Sequence, residues 1–244
     1  SQGFDIQSFF SYPKGMESTR QAVIKSGGQP LLNLIFAPAT RLIQLNNRWR
    51  RSKDSDGFSV DDRNGRWLKQ VDRENPETEQ HAHEVRLFST DSADTLYIQP
   101  VADLGLKPEQ VASLAYSLKR GIEKMFQVEE SEIGVWVLGK PEEPNILIYE
   151  ASEGSLGVLS QLVDEPVVMQ QLFREAYQVL HFNPENFEDT RPDLPRATYD
   201  DLLSYYNQRL HEQMDRFAIK EPLEKLMQCY IDPKTGERDR EQQF

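Results

Sequence analysis

The sequence predicts an α+β fold: an antiparallel β meander followed by a sheet covered by C-terminal helices. Three observations lead there. Residues 31–99 break into short apolar or alternating runs, separated by Asp-Gly, Asn-Gly and Asp-Ser-Ala-Asp turn signals. Residues 108–126 set Val111, Leu114, Ala115, Leu118, Ile122 and Met125 at helical spacing behind Pro108, a proline at home in a first helical turn. After residue 150 the periodicity turns mainly helical.

Taken in order, residues 1–30 carry Pro13, Gly15, Gly27, Gly28 and Pro30 and read as an irregular lead-in. The runs "LLNLIF", "RLIQL", "GFSV", "RWLKQV", "HEVRLFS" and "TLYIQP" are expected strands of a β-rich subdomain over 31–103. Its clearest hairpin is "VDDRNGRW", where Asn64-Gly65 suits the positive φ values of a type I′ turn. An α+β domain over 104–230 then holds the helix 108–126, the strands "EIGVWVLG" and "NILIYE", a glycine turn "ASEGSLG", and helices to Leu162 and from Pro166 to Leu180. Three prolines make 181–197 a loop. Helix is expected again from Tyr199, on the stripe Leu202, Leu203, Tyr206, Leu210, Met214 and Phe217, until Pro222 breaks or restarts it; a charged tail covers 231–244.

Composition narrows the function classes. Apolar residues make up 38% and charged residues 28%, a globular balance. No apolar run approaches the ~18 residues of a membrane span, and the start lacks a signal-peptide layout, so a cytoplasmic chain with no membrane partner is expected. The single cysteine, Cys229, excludes an internal disulfide. The chain opens on Ser rather than Met, which is compatible with a piece of a longer protein whose upstream region carries the main chemistry and does not by itself decide it. A net charge of −12 opposes uniform nucleic-acid binding, yet residues 41–69 hold eight Arg/Lys against four Asp.

Phosphate loops, dinucleotide fingerprints and nucleophile elbows are all missing from the sequence. His81 and His83 alternate, as two metal ligands on one strand face or as exposed loop residues. His211 and Asp215 are spaced i, i+4, which on a helix makes a hydrogen-bonded pair or a catalytic dyad without an evident nucleophile. The turn holding Glu150, Glu153, Gly154 and Gly157 is either an anion-binding bend or a tight packing turn. Arg48, Trp49, Arg50, Arg51 and Lys53, with Arg66 and Trp67 across the hairpin, combine guanidinium groups for phosphate with indoles for bases. The alternative for that set is a solvated strand edge.

Several of these blocks together resemble a known family, the C-terminal MrfA-type zinc-binding domain of bacterial superfamily-two DEAD/DEAH-box helicases, including helicases of phage-defence systems such as DISARM and Druantia. The resemblance covers roughly residues 35–225. It rests on Leu45 to Lys53 with Gly57, Phe58, Gly65 and Trp67; on Tyr149, Glu150, Gly154, Ser155 and Gly157; on His181, Phe182, Asn183, Pro184, Glu188 and Asp189; and on Thr198 to Gln208 with His211, Met214, Asp215 and Arg216. Where the family places cysteine ligands this chain has Leu194, Thr198 and Asp201, so zinc is not carried over and no metal residue is assigned.

The resemblance implies a noncatalytic accessory domain of an ATP-dependent DNA helicase or translocase. DNA, as a single strand, and motor lobes in the same or another chain would be its partners, with a defence-system subunit as a further one. No cofactor is expected in this chain; ATP and Mg belong to the associated motor. Asn207, Gln208, His211, Asp215 and Arg216 are expected to form a buried polar network, and Phe182, Phe187, Leu194 and the prolines to hold the 181–198 loop. Two rival readings are a protein-interaction scaffold whose acidic surface recruits a basic partner, and a hydrolase using His211 with Asp215 or Glu150 with Glu153.

Overall fold

The computed structural model describes residues 3–13, 18–49, 57–68, 79–152, 154 and 156–234. Strands β1 (Phe4–Ser11), β2 (Arg20–Ser26), β3 (Gln29–Trp49), β4 (Phe58–Asp61), β5 (Ala82–Val85) and β6 (Leu87–Pro100) precede helix α1 (Val111–Phe126). Strands β7 (Ile133–Lys140) and β8 (Glu143–Glu150), helices α2 (Val158–Asp164), α3 (Pro166–Val179) and α4 (Lys220–Met227), and strand β9 (Tyr230–Lys234) follow. The fold is α+β, with a seven-stranded sheet ordered β7-β8-β6-β3-β2-β9, in which β1 also pairs with β3. Each pairing whose register is resolved is antiparallel. The expected meander and the later sheet are therefore joined, because β6 lies between β3 and β8. Strands β4 and β5 make a separate pair.

Residues 1–30 are not an irregular lead-in: they hold β1 and β2. Gly27 and Gly28 both take positive φ, 56° and 86°, and close β2 on β3 with Ser26 opposite Gln29. Positive φ at both central positions marks a two-residue hairpin turn, which glycine adopts at the least steric cost. The runs at 31–36 and 41–45 are one strand rather than two. Pro38 offers no N–H and Ala39 sits at φ 49°, yet the Ala39 N–H donates to Asp94 Oδ1 at 3.0 Å, so the irregularity is absorbed within the strand. The expected turn at 91–94 likewise lies inside β6. In the run at 83–89, Arg86 separates β5 from β6. At the other end, β9 pairs with β2 through Lys234, so the expected charged tail begins as a strand; 235–244 lie outside the described residues.

The Asn64-Gly65 hairpin is wider than a type I′ turn. Gly65 has φ 69° while Asn64 is not in the positive region, and the Asp61 carbonyl accepts the N–H of both Asn64 and Gly65. The Asp61 carboxylate explains this: Oδ1 takes the Arg63 N–H at 3.0 Å, an Asx turn that favours the longer loop. Trp67 closes it by bridging to Val60, and residues 69–71 of that expected strand lie outside the described residues.

One core joins α1, α3 and the sheet through Leu32, Leu34, Leu96, Ile146, Leu114, Leu118, Leu172 and Phe173, among others, each removed from water and stabilising by roughly 1.5–3 kcal/mol. α1 and α3 cross closely, since a Cβ on Gly121 would fall 2.9 Å from Leu172 Cδ1 and 3.1 Å from the Ala176 amide. The helices at 108–126, to Leu162 and from Pro166 appear where periodicity placed them.

The chain divides into two compact units, Ser1–Pro13 with Thr40–Ser92, and Lys14–Ala39 with Ala93–Phe244. This division is discontinuous and does not follow the 103/104 boundary, because β3 and β6 each run from one unit into the other. The expected helix from Tyr199 is absent. Residues 199–202 form a turn, Ser204 is extended, and 205–213 make a 3-10 segment with non-helical Asn207, ending at an extended Met214. Local side-chain hydrogen bonds from Asp201, Ser204 and Asn207 compete with the helical ladder there.

Candidate nucleic-acid interface

Within the first unit, β1 pairs with β3 so that Phe4 stands opposite Trp49, their ring centroids 4.4 Å apart. Phe58, at the start of β4, is only 2% exposed. It packs edge-on against Trp49 at 6.0 Å and Trp67 at 5.1 Å. Backbone bonds tie the flanking segments to β4: Gly57 N–H donates to Asn47 O at 2.7 Å, and Leu68 N–H to Ser59 O at 2.9 Å. Gly57 has φ 103°, and a Cβ there would meet the Val85 carbonyl at 3.0 Å, so glycine is required at the entry to β4. Trp49 and Trp67 keep 49% and 50% exposure, each with part of its ring in solvent. Two half-open indoles packed against one buried ring leave ring surface on which planar groups can stack.

The cations around it differ in availability. Arg48 is half-buried and its Nε lies 3.3 Å from Asp5 Oδ2, so part of its charge is already compensated. Arg66 is exposed, and its guanidinium has no ion-pair partner among the described residues. Arg50, Arg51 and Lys53 lie outside the described residues. Arg63, which sequence reasoning passed over, forks onto Asp61 with Nε–Oδ1 at 3.0 Å and Nη2–Oδ2 at 2.8 Å. That hydrogen-bonded guanidinium holds the Asp61 carboxyl down at about 2. His81 Nδ1 and His83 Nε2 both turn to Asp62, at 3.0 and 3.1 Å. They share a face as their alternation suggested. Among the described residues no group of three His, Cys, Asp or Glu has metal-binding geometry.

The set expected as one polar network separates into parts. Asn207 is buried, with Nδ2 donating to Leu202 O at 2.7 Å and Oδ1 accepting from Ser204 N–H at 2.8 Å. His211 Nε2 lies 2.9 Å from the same Oδ1 and 3.0 Å from Ser204 O, two acceptors that make it the protonated nitrogen. Gln208 is exposed and stands outside this cluster. Asp215 Oδ1 accepts the Phe217 N–H at 2.9 Å instead of meeting His211. The i, i+4 pairing of these two residues fails with the helix it assumed. No hydrolytic dyad forms from them.

Arg216 forms the strongest cluster, and it is fully buried. It forks onto Asp189, with Nη1–Oδ1 at 3.0 Å and Nη2–Oδ2 at 2.8 Å. The carbonyls of Leu180, Pro195, Arg191 and Leu194 accept its remaining N–H groups at 3.1–3.4 Å. Its guanidinium also lies over the Phe217 ring at 4.1 Å and Phe182 at 5.0 Å. The loop from 181 to 198 is thus gathered on one cation. Of its expected apolar anchors Phe182 is buried, whereas Phe187 remains 36% exposed.

Leu194, Thr198 and Asp201, where the resemblance expects cysteines, do not offer a set of free metal donors. Leu194 brings no donor side chain, and the Thr198 hydroxyl donates to Asp201 Oδ2 at 2.8 Å. Asp201 Oδ1 is itself occupied by the N–H groups of Thr198 and Leu202, at 2.6 and 2.5 Å. The glycine turn before α2 is likewise filled from within. The buried Glu150 carboxylate accepts the N–H groups of Leu156, Gly157 and Leu159 at 2.5, 3.2 and 2.9 Å. It is the anion at that helix start. Glu153 lies outside the described residues.

No family profile and no curated protein matches the chain. Among solved structures it is similar to one described as "Crystal Structure of DUF1998 helicase MrfA bound to DNA", with a TM-score of 0.49 and 8% identity. The alignment covers 88% of this chain and 25% of that one, so the chain spans a quarter of that structure's length. The likeness is distant. No helix among the described residues is long and apolar enough to cross a membrane.

Proposed function

We propose that this chain is a noncatalytic accessory domain of an ATP-dependent DNA helicase or translocase, and that its first unit holds single-stranded DNA. The observation that carries this reading is the pair of half-exposed indoles, Trp49 and Trp67, on buried Phe58 beside the cationic run. Stacking needs an unpaired base, because in a duplex both faces of each base are already covered. Arg66, together with Arg50, Arg51 and Lys53, would neutralise the phosphates that follow. Arg48 would act mainly as a brace for Trp49 through Asp5. ATP hydrolysis and Mg would belong to motor lobes in the same or another chain, and a defence-system subunit is a further partner this reading admits.

The test is a titration with an oligo-dT strand, read by quenching of tryptophan fluorescence after Trp136→Phe removes the third indole. Trp49→Ala and Trp67→Ala should each weaken binding by ~1–3 kcal/mol. Undiminished affinity in both variants would remove the assignment.

A further inference from the structure

Among the described residues the seven-stranded sheet ends on β9 at one side and on β7 at the other, and the two edges differ. β9 carries Asp232, Pro233 and Lys234 within five residues, charges and a missing N–H that turn a further strand away. β7 carries no charge and no proline from Ile133 to Gly139. Among the described residues it pairs only with β8. The Ala151 N–H donates to Glu132 O at 2.7 Å, which sets the alternation of that ladder: even-numbered residues of β7 bond β8, and the backbone groups of Val135 and Val137 face the open side. Val135, Trp136, Val137 and Leu138 are all only half-buried. An apolar edge of this length with nothing to blunt it is a template for another strand.

The sequence of β7 selects that strand. Antiparallel pairing with a second copy about Trp136 sets Val135 opposite Val137, Gly134 opposite Leu138 and Ile133 opposite Gly139. It also sets Glu132 opposite the exposed Lys140 at both ends, and opposite charges across a ladder attract. Neighbouring registers are poorer. A shift of two residues one way opposes Glu132 to Glu142, and a shift the other way shortens the match to Ile133–Val137. On the two-fold axis the Trp136 rings of the two copies become neighbours, each already packed on its own Tyr149 at 5.2 Å. We infer that β7 is a dimer edge, through which two copies of this chain join their sheets antiparallel with Glu132 opposite Lys140. This does not depend on the single-strand reading, which concerns other residues in the other unit.

The test uses the full 244-residue chain in analytical ultracentrifugation over about 1–100 μM, the range in which an interface of modest area dissociates. The parent should pass from monomer to dimer, with the Val135 and Val137 amides exchanging more slowly against deuterium in the dimer. Lys140→Glu should weaken association about tenfold, because it opposes like charges at both ends of the paired strands. It also faces Glu143 across its own hairpin, so a second variant adds Glu132→Lys. These two positions lie about 26 Å apart along one strand, and only a second copy brings them together. The double variant should therefore return to within about threefold of the parent. A parent that stays monomeric, leaving the edge to a strand of another protein, overturns the proposal. So does a dimer whose Val135 and Val137 amides exchange as in the monomer, or a double variant that associates no better than Lys140→Glu.

Discussion

Arg216 carries the largest share of order assigned to any one side chain outside the hydrophobic core. Its five N–H groups reach one carboxylate and four carbonyls across residues 180–195, a set that only a guanidinium can serve. Arg216→Met should cost ~2–4 kcal/mol, because the partly exposed Asp189 and the carbonyls, Leu180's buried among them, lose their charged donor. Arg216→Lys should recover little of that, since an ammonium reaches fewer of them. Chemical denaturation of each variant measures both. The same pair has an acid limb. The Arg216 hydrogen bond holds the Asp189 carboxyl below its ordinary value of 3.8. Its contribution is therefore complete above that value and disappears as pH falls through the lower folded value. Asp189→Asn should be less stable than the parent at pH 7, with the difference closing as pH falls below 3.8 and through the lower folded value. Sequence alone singled out Arg216 but attached it to His211 and Asp215 through an assumed helix. Its true partner lies 27 residues earlier, where no local pattern could reveal it.

At the level of elements, the hairpin of β7 and β8 shows how a glycine can be fixed by its cross-strand neighbour. Gly134 pairs with Tyr149, and a Cβ there would lie 2.0 Å from the ring carbon Cζ. The ring also packs on Trp136 at 5.2 Å, so it has little freedom to withdraw. Gly134→Ala should destabilise by ~1–3 kcal/mol and shift the Tyr149 ring signals in an NMR spectrum. Glu150→Gln should loosen the start of α2, by a further ~1–3 kcal/mol, through loss of charge-assisted acceptance by a buried carboxylate; hydrogen exchange at Leu156, Gly157 and Leu159 reports it directly. Elements built from local periodicity, α1, α3 and the β7–β8 hairpin, were legible because burial and propensity agree there. The stripe from Leu202 to Phe217 misled for the opposite reason. Its apolar spacing fits a helix, but Ser204 and Asn207 satisfy the backbone from their side chains and leave only 3-10 turns. β1 was missed because its pairing is with Arg41–Trp49, some forty residues away, and its own sequence alternates weakly.

At the scale of the whole chain, charge divides the two units. The first, Ser1–Pro13 with Thr40–Ser92, holds ten Lys/Arg against eleven Asp/Glu, so most of the net −12 resides in the second. The cationic run at 41–69 was visible in the sequence, as were Trp49 and Trp67. Phe58 as their shared support was not, because it depends on the pairing of β4 with β5 and the bridge to Trp67. In the proposed interface the phosphate contacts would be Arg50, Arg51, Lys53 and Arg66, since Arg48 is paired with Asp5. The logarithm of oligo-dT affinity should therefore fall against the logarithm of salt with a slope no steeper than about −3, given ~0.7 per single-strand phosphate contact. The most direct measurement is photo-crosslinking of the chain to an oligo-dT strand carrying 5-iododeoxyuridine, with the adducts mapped by mass spectrometry. Adducts on Trp49 and Trp67 are the expected result. Adducts confined to the second unit, or none at all while the strand is bound, would contradict it.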